Sequence, residues 1–476
     1  MSQATPSTLT EMAWAGLPRR VIYTGVAGAV LWWTFSLWLF WGYHPRYDDF
    51  YYTFWARWWI EGKYTELAGN WPGTLIRPYV YHSVLGMVGN VVPSLLVSEW
   101  TRPVVAAVQV TTFAAVAFRL ARAVAHLDRG MPSAVVLGLL CAPFAVLTNT
   151  EVLSESISLM ITCMLVAVAC PIGTSRVGRL GNATVVLACF ALLAMTRTAH
   201  LAASVAASAA IVLLLVVNGA QQAVPRRERA VHFAMTGLGL AAWVVVVAPQ
   251  AWLLWWHERL VPGDSARWGE GGERLIWSQQ VGKYATVVAS CPGVPVVGVA
   301  YPVPLAGDEV ATGQLSWYLS HPHVAIWHVF QALNWDFPTM YISTFNPFLT
   351  VPLNAVSLGV AVVGVATLAV VGTSLVRRLM VEAPILGIVM AAIVGLWLQT
   401  AFTGVETRFG IIPWSALSVA AVWGATRWWE RLRSGASTWM PAICAVVATG
   451  VLLFVSRLAV AGVPAFQQLE AAGCWK

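Results

Sequence analysis

Of 476 residues, 58% are hydrophobic and only 10% charged, whereas soluble domains carry about a quarter charged residues. Soluble enzymes and binding modules are therefore excluded. The formal charge of +7 does not mark a nucleic-acid-binding surface, because the basic residues fall in short stretches between apolar runs. What remains is an all-α polytopic membrane protein.

The N-terminal stretch ends in Arg19 and Arg20, ahead of an apolar run from Val21 to Trp41 that is long enough to span a bilayer. No small-residue cleavage site follows, so the run reads as an uncleaved first span. Directly after it comes Tyr47–Gly62, YDDFYYTFWARWWIEG. Read as a helix, it gathers Phe50, Tyr51, Phe54, Trp55, Trp58 and Trp59 on one broad face and sets Asp49, Thr53 and Arg57 opposite. Such a helix is expected to lie in the membrane interface with its aromatic side down. Asp48 and Asp49 start it. One acid can serve as an N-cap; a pair also fits a general base beside a cavity between lipid and water. Asp48 shares a side with Tyr52 and Trp55, so it takes the base role, and Asp49 a supporting one toward the acceptor or a cation.

Tyr79–Val97 is apolar but short, and contains His82, Asn90 and Pro93. If it crossed, Arg119, Arg122 and Arg129 would fall outside, against the tendency of basic loops to stay in the cytoplasm. We therefore place it in the interface. Eleven spans follow, the first near 21–42 and the last near 438–456, with the arginines of Arg19–Arg20, Arg226–Arg229, Arg377–Arg378 and Arg427–Arg433 inside. The chain divides into an N-terminal transmembrane module (1–256) whose first outer loop is 43–101, an extracytoplasmic cap (257–346), and C-terminal transmembrane helices (347–476). The inner loops are too short for a catalytic domain, so any chemistry belongs to the outer face.

Four clusters converge there: Asp48/Asp49; Asn149 to Ser156, with Ser154 and Glu155; Thr196 to His200, with Arg197; and Glu406 with Arg408. Each also has a plainer reading. Ser154 and Glu155 suit a helix start, Arg197 can snorkel to headgroups, and Glu406 can pair with Arg408. Lys283, in the cap, is a further outer cation. No Cys or His spacing resembles a zinc site, and no cofactor is called for, although the acid pair is compatible with a divalent cation. The centres of the spans carry almost no charge, unlike an ion-coupled transporter.

The acidic motif of the first outer loop, the segment Leu75-Ile76-Arg77-Pro78-Tyr79, the acid Glu155 at the second outer turn, the Thr196-Arg197 turn and the late Glu406-Thr-Arg408-Phe409 with Pro413 together resemble the GT-C superfamily of membrane glycosyltransferases. The stretch Asp48 to Arg57, with Glu61-Gly62 and Asn70-Trp-Pro-Gly73, is most similar to the branch containing bacterial arabinofuranosyltransferases. The resemblance implies a polyprenyl-phosphate-linked sugar donor, a glycan, glycolipid or protein acceptor, inversion in a single displacement, and a plasma-membrane enzyme with its site on the extracytoplasmic face. Asp48 and Asp49 would be catalytic; Tyr52, Arg77, Glu155, Arg197, His200, Lys283, Glu406 and Arg408 would bind donor phosphate or substrate. A lipid or polysaccharide transporter or flippase, and a non-catalytic assembly subunit, are the competing readings.

Overall fold

A computed structural model of the chain describes residues 17–39, 47–63, 79–91, 100–149, 154–170, 176–197, 200–220, 226–260, 286–291, 294–300, 359–371, 383–400, 411–435, 443, 446 and 447. The helices are α1 (Arg19–Leu39), α2 (Tyr47–Ile60), α3 (Val80–Val91), α4 (Thr101–Ala123), α5 (Met131–Val136), α6 (Pro143–Thr148), α7 (Ser154–Ala169), α8 (Arg176–Ala194), α9 (Leu201–Ala220) and α10 (Arg226–Leu260). After these come α11 (Gly359–Val371), α12 (Pro384–Thr400) and α13 (Ile411–Arg433). A two-stranded antiparallel hairpin, β1 (Thr286–Cys291) with β2 (Val294–Ala300), falls in the segment expected to form the cap. Residues 301–346, the rest of that segment after the hairpin, lie outside the described residues.

Proline and glycine set the boundaries. Pro18 precedes α1, and its carbonyl accepts the Val21 and Ile22 N–H groups at 2.9 and 3.3 Å. Pro132, Pro143, Pro384 and Pro413 all stand in first turns, where a missing N–H costs nothing. Helix α2 stops at Gly62, which takes a left-handed φ of 69°. The Lys63 N–H then reaches Trp58 O at 2.9 Å and the Gly62 N–H reaches Trp59 O at 3.1 Å, the paired closure that a C-terminal glycine permits.

Between α5 and α6 the chain widens into a π-turn, Leu137–Cys141, and breaks at Ala142 with ψ 131°. The break leaves the Cys141 carbonyl without its helical partner, and Trp32 Nε1 of α1 donates to it at 2.9 Å. The turn is clasped from both sides. A side chain at Gly28 would meet Cys141 Sγ at 2.6 Å, and one at Gly138 would meet the α13 backbone at Val419 Cα, 2.7 Å away. Small residues at such crossings let backbones approach where no hydrophobic drive exists between helices in lipid.

The core is formed by α4, α7, α8 and the π-turn, with Phe113, Phe118, Leu139, Leu140, Leu159, Leu165, Leu187, Phe190 and Leu193 fully buried. Outward, α1 exposes Tyr23, Val26, Val30 and Leu31, α9 exposes Leu213 and Val217, and α10 exposes Leu238, Val244 and Val245. Water would not tolerate so continuous an apolar surface; hydrocarbon does. Among the described residues four helices are long and apolar enough to cross a membrane: Arg19–Trp38, Thr101–Ala123, Leu201–Asn218 and Arg226–Leu253. Met131–Cys141, Ser154–Ala169, Leu180–Ala194, Gly359–Val371 and Pro384–Leu396 are apolar but shorter. Helix α3 covers Val80–Val91, and the rest of the segment expected beside the spans, 92–97, lies outside the described residues.

The helices sort their charges. Helix α5 runs alongside α1 and antiparallel to α13, as the neighbours of Gly25, Gly28, Gly130 and Gly138 show. Arg19 and Arg20, the Arg119–Arg129 stretch, Arg226 and Arg227, and Arg427–Arg433 thus share one end of the bundle, while α2 and α3 cap the other. At the arginine-rich end Asp128 accepts from Gly130 N at 2.8 Å and Trp423 Nε1 at 3.3 Å, and pairs with Arg427. Burial raises the Asp128 carboxyl pKa, but these hydrogen bonds and the Arg427 charge outweigh it and hold the group below the usual carboxylate range. Its stabilising contribution is therefore complete above that range and is lost as pH falls through the depressed value. Asp128→Asn should lower the thermal midpoint in detergent, corresponding to about 1–3 kcal/mol for a charge-assisted contact, and should flatten the acid limb of stability.

Candidate functional site

Helices α2 and α3 pack on each other as a layer at the end of the bundle remote from the arginines. Tyr52, Trp55 and Ala56 of α2 are buried against Tyr81 and Leu85 of α3, with Val105 of α4 and Leu253 of α10. The Tyr52 and Tyr81 rings meet edge to face at 4.8 Å, and His82 lies fully buried between Trp55 and Trp59, at 5.8 and 6.3 Å. The face centred on Tyr52 and Trp55 is thus turned to protein, correcting the expectation that Trp55 belongs to a membrane-facing side. Helix α10 holds the layer from outside. Pro249 has no N–H for the turn before it, and beside that weakened turn the Tyr79 hydroxyl donates to Val246 O at 2.7 Å.

Beneath α2 lies a buried polar network. The Tyr52 hydroxyl donates to Ser154 Oγ at 2.9 Å, Ser154 Oγ donates to Glu155 Oε2 at 3.2 Å, and Arg197 Nη1 donates to Glu155 Oε1 at 2.7 Å. The Glu155 side chain is 4% exposed and that of Arg197 19%. Ser154 and Glu155 open α7, where the dipole's positive end favours a carboxylate. Glu155 is therefore more than a helix-start acid, and Arg197 is held in an ion pair rather than only snorkelling.

Two further branches complete the network. Ser158 Oγ, one turn along α7, donates to Thr196 Oγ1 at 2.9 Å, and His200 Nδ1 lies 3.4 Å from Ser158 Oγ and 3.3 Å from Thr196 Oγ1. His200 sits in the turn ahead of α9. Burial first, then the Arg197 charge, push its pKa down to about 3, against a smaller upward pull from the Leu193 carbonyl. The other branch runs from the Tyr81 hydroxyl to Gln109 Oε1 at 2.9 Å, from Gln109 Nε2 to Asn149 O at 2.9 Å, and from Ser156 Oγ to Asn149 Oδ1 at 2.7 Å. Gln109, Tyr81 and Ser158 were not singled out in the sequence. Gln109 carried the one available signal, a lone amide within an otherwise apolar span.

Of the expected site residues, Tyr52, Glu155, Arg197 and His200 come together. Asp48 and Asp49 occupy the first turn of α2, Asp48 one turn before Tyr52. Arg77, Lys283, Glu406 and Arg408 lie outside the described residues, as do the details of the 401–410 connection. The helices flanking that connection approach it from the same end of the bundle: Gly395 of α12 neighbours Ala203 near the start of α9, and α13 starts opposite its Arg427 end. Among the described residues no group of three or more His, Cys, Asp or Glu is placed to hold a metal. Comparison of the chain with family models, curated proteins and solved structures returns no match.

Two outcomes are expected. Removing one member of a buried ion pair strands the other, at about 3–5 kcal/mol. Glu155→Leu and Arg197→Met should therefore each destabilise strongly, whereas the double variant recovers much of the loss; additive effects in a thermal double-mutant cycle would rule out the coupling. His200 stays neutral in the fold down to about 3 but titrates near 6.5 when unfolded. The unfolded chain therefore takes up the proton first, and stability present above 6.5 declines as pH falls toward 3. His200→Gln should shed that slope in a series of midpoints across this range.

Proposed function

We propose that this protein is a membrane glycosyltransferase of the GT-C type, moving a sugar from a polyprenyl-phosphate donor to an acceptor hydroxyl on a cell-envelope glycan, glycolipid or protein. The observation that carries the reading is the buried Glu155–Arg197 pair, joined through Ser154 and Tyr52 to the helix that bears Asp48 and Asp49. By the positive-inside tendency the arginine-rich end faces the cytoplasm, which puts the α2–α3 layer on the extracytoplasmic side, with eleven crossings in the full chain.

The residues suit the chemistry. Asp48 takes the proton of the acceptor hydroxyl as its oxygen attacks the anomeric carbon. The bond from that carbon to the phosphate oxygen breaks, inverting the centre, and polyprenyl phosphate departs with the electron pair. A guanidinium near the leaving oxygens stabilises the charge that develops there. Arg197, fixed by Glu155, fills that role, with Arg77, Lys283 and Arg408 as further cations and Glu406 and His200 among the groups lining the substrate. Asp49 supports the acceptor, or a divalent cation where one is bound. Among the described residues no Asp, Glu, Lys or Arg stands in the middle of the four candidate spans, which favours an enzyme over an ion-coupled transporter.

Transfer from a polyprenyl-phosphate sugar should be measured in nanodiscs alongside the thermal midpoint. Asp48→Asn keeps size and capping ability but removes the base, so turnover should fall by about 10²–10⁴-fold with little change in midpoint. Normal turnover in both Asp48→Asn and Asp49→Asn would overturn the catalytic reading, and loss in Asp49→Asn alone would exchange their roles.

A further inference from the structure

At the opposite end of the bundle the charges beside α13 are unevenly shared. Arg427 takes both nearby acids, Asp128 and Glu430, the latter at 2.9 Å. Arg431 and Arg433, on the last turn of α13, are exposed, as are Arg119 and Arg129 at the end of α4 and in the turn after it. Among the described residues neither Arg431 nor Arg433 joins an ion pair. Among the described residues the local charge is therefore in positive excess.

Apolar surface accompanies it. Trp429 and Leu432 are each 57% exposed, and the Arg433 guanidinium stands 5.0 Å from the centre of the Trp429 ring. Residues 429, 432 and 433 are spaced to share one helix face. The last turn of α13 lies at the end of the bundle where the candidate spans Arg19–Trp38 and Arg226–Leu253 begin, which places it near the headgroups that border a hydrocarbon layer. An indole and a leucine under a guanidinium match the boundary between acyl chain and phosphate. A free phosphate ion would use the arginines and leave Trp429 and Leu432 in water; a lipid uses both.

We propose that the last turn of α13 binds the headgroup phosphate of an anionic phospholipid, whose acyl chains lie against Trp429 and Leu432. The site is separate from the α2–α3 layer and stands or falls independently of the glycosyltransferase reading.

The test uses the full chain in nanodiscs of phosphatidylcholine with or without phosphatidylglycerol, reading lipid retained by native mass spectrometry together with the thermal midpoint. Wild type should enrich phosphatidylglycerol, and enrichment should fall as salt is raised. Arg431→Gln and Arg433→Gln should each weaken retention about fivefold and the double variant about 25-fold, with Asp128 and Arg427 left intact. Equal retention of both lipids by wild type, or unchanged retention in the double variant, would overturn the site. So would a midpoint rise with glycerol phosphate matching that with phosphatidylglycerol, which would mark a free-anion site. Should the double variant fail to fold, the salt dependence of the wild type remains decisive: salt-insensitive enrichment excludes an arginine-held headgroup.

Discussion

The α2–α3 layer depends on one constraint, the burial of the Glu155–Arg197 ion pair. Two charges withdrawn from water are tolerated only when their geometry is good and their remaining polar capacity is met. Meeting it recruits Ser154 and, through it, Tyr52, so a single carboxylate fixes the relation of α7, the α8–α9 turn and α2. The pair adds little net stability over apolar packing. What it adds is position: α2 cannot slide or rotate without stranding a hydroxyl that bonds into the network. The hydroxyl bond is worth about 1 kcal/mol, and the edge-to-face Tyr52–Tyr81 contact about as much, so the register is held by several modest terms acting together.

The second branch, Tyr81–Gln109–Asn149–Ser156, does for α3 what the first does for α2. It also explains why so many small polar side chains sit within apolar helices. Inside a bilayer each must find a partner in the protein, and here they find one another across helix boundaries. Backbone groups released by irregularities follow the same rule. The Cys141 carbonyl, freed by the π-turn, meets Trp32, and Val246 O, beside the turn that Pro249 weakens, meets Tyr79. Each irregularity has become an anchor for a neighbouring helix.

Much of this was legible in the chain. Composition gave the membrane class, and the aromatic stretch after the first apolar run was legible as a helix, as α2 shows. The clusters around Glu155 and Arg197 were visible as polar turns between apolar runs. Their mutual contact was not, because 42 positions separate the partners and no local period connects them. The buried face of α2 was misjudged for a related reason. Hydrophobic periodicity tells which side avoids water, not whether lipid or protein covers it, and α3 supplied the cover. Gln109 escaped notice because one amide in a long apolar helix looks incidental until Asn149 and Tyr81 arrive from either side.

The two ends of the bundle differ in how their charges are met. At the arginine-rich end one arginine takes both acids beside α13, and among the described residues the surface there is positive. At the α2–α3 end the arginine is neutralised by a buried glutamate, and a neighbouring histidine is held uncharged. A cation held inside a neutral, largely desolvated frame is a poor trap for passing anions but a strong partner for one delivered to it by a hydrophobic anchor, because low dielectric strengthens the interaction once water is gone. The donor in the proposed function, a long apolar chain with a single phosphate, meets both conditions. Asp48, one turn before Tyr52, then stands on the helix whose register that same pair fixes. The network that neutralises the arginine therefore also fixes the register of the helix that carries Asp48, and on the proposed function this shared dependence joins the two in one site.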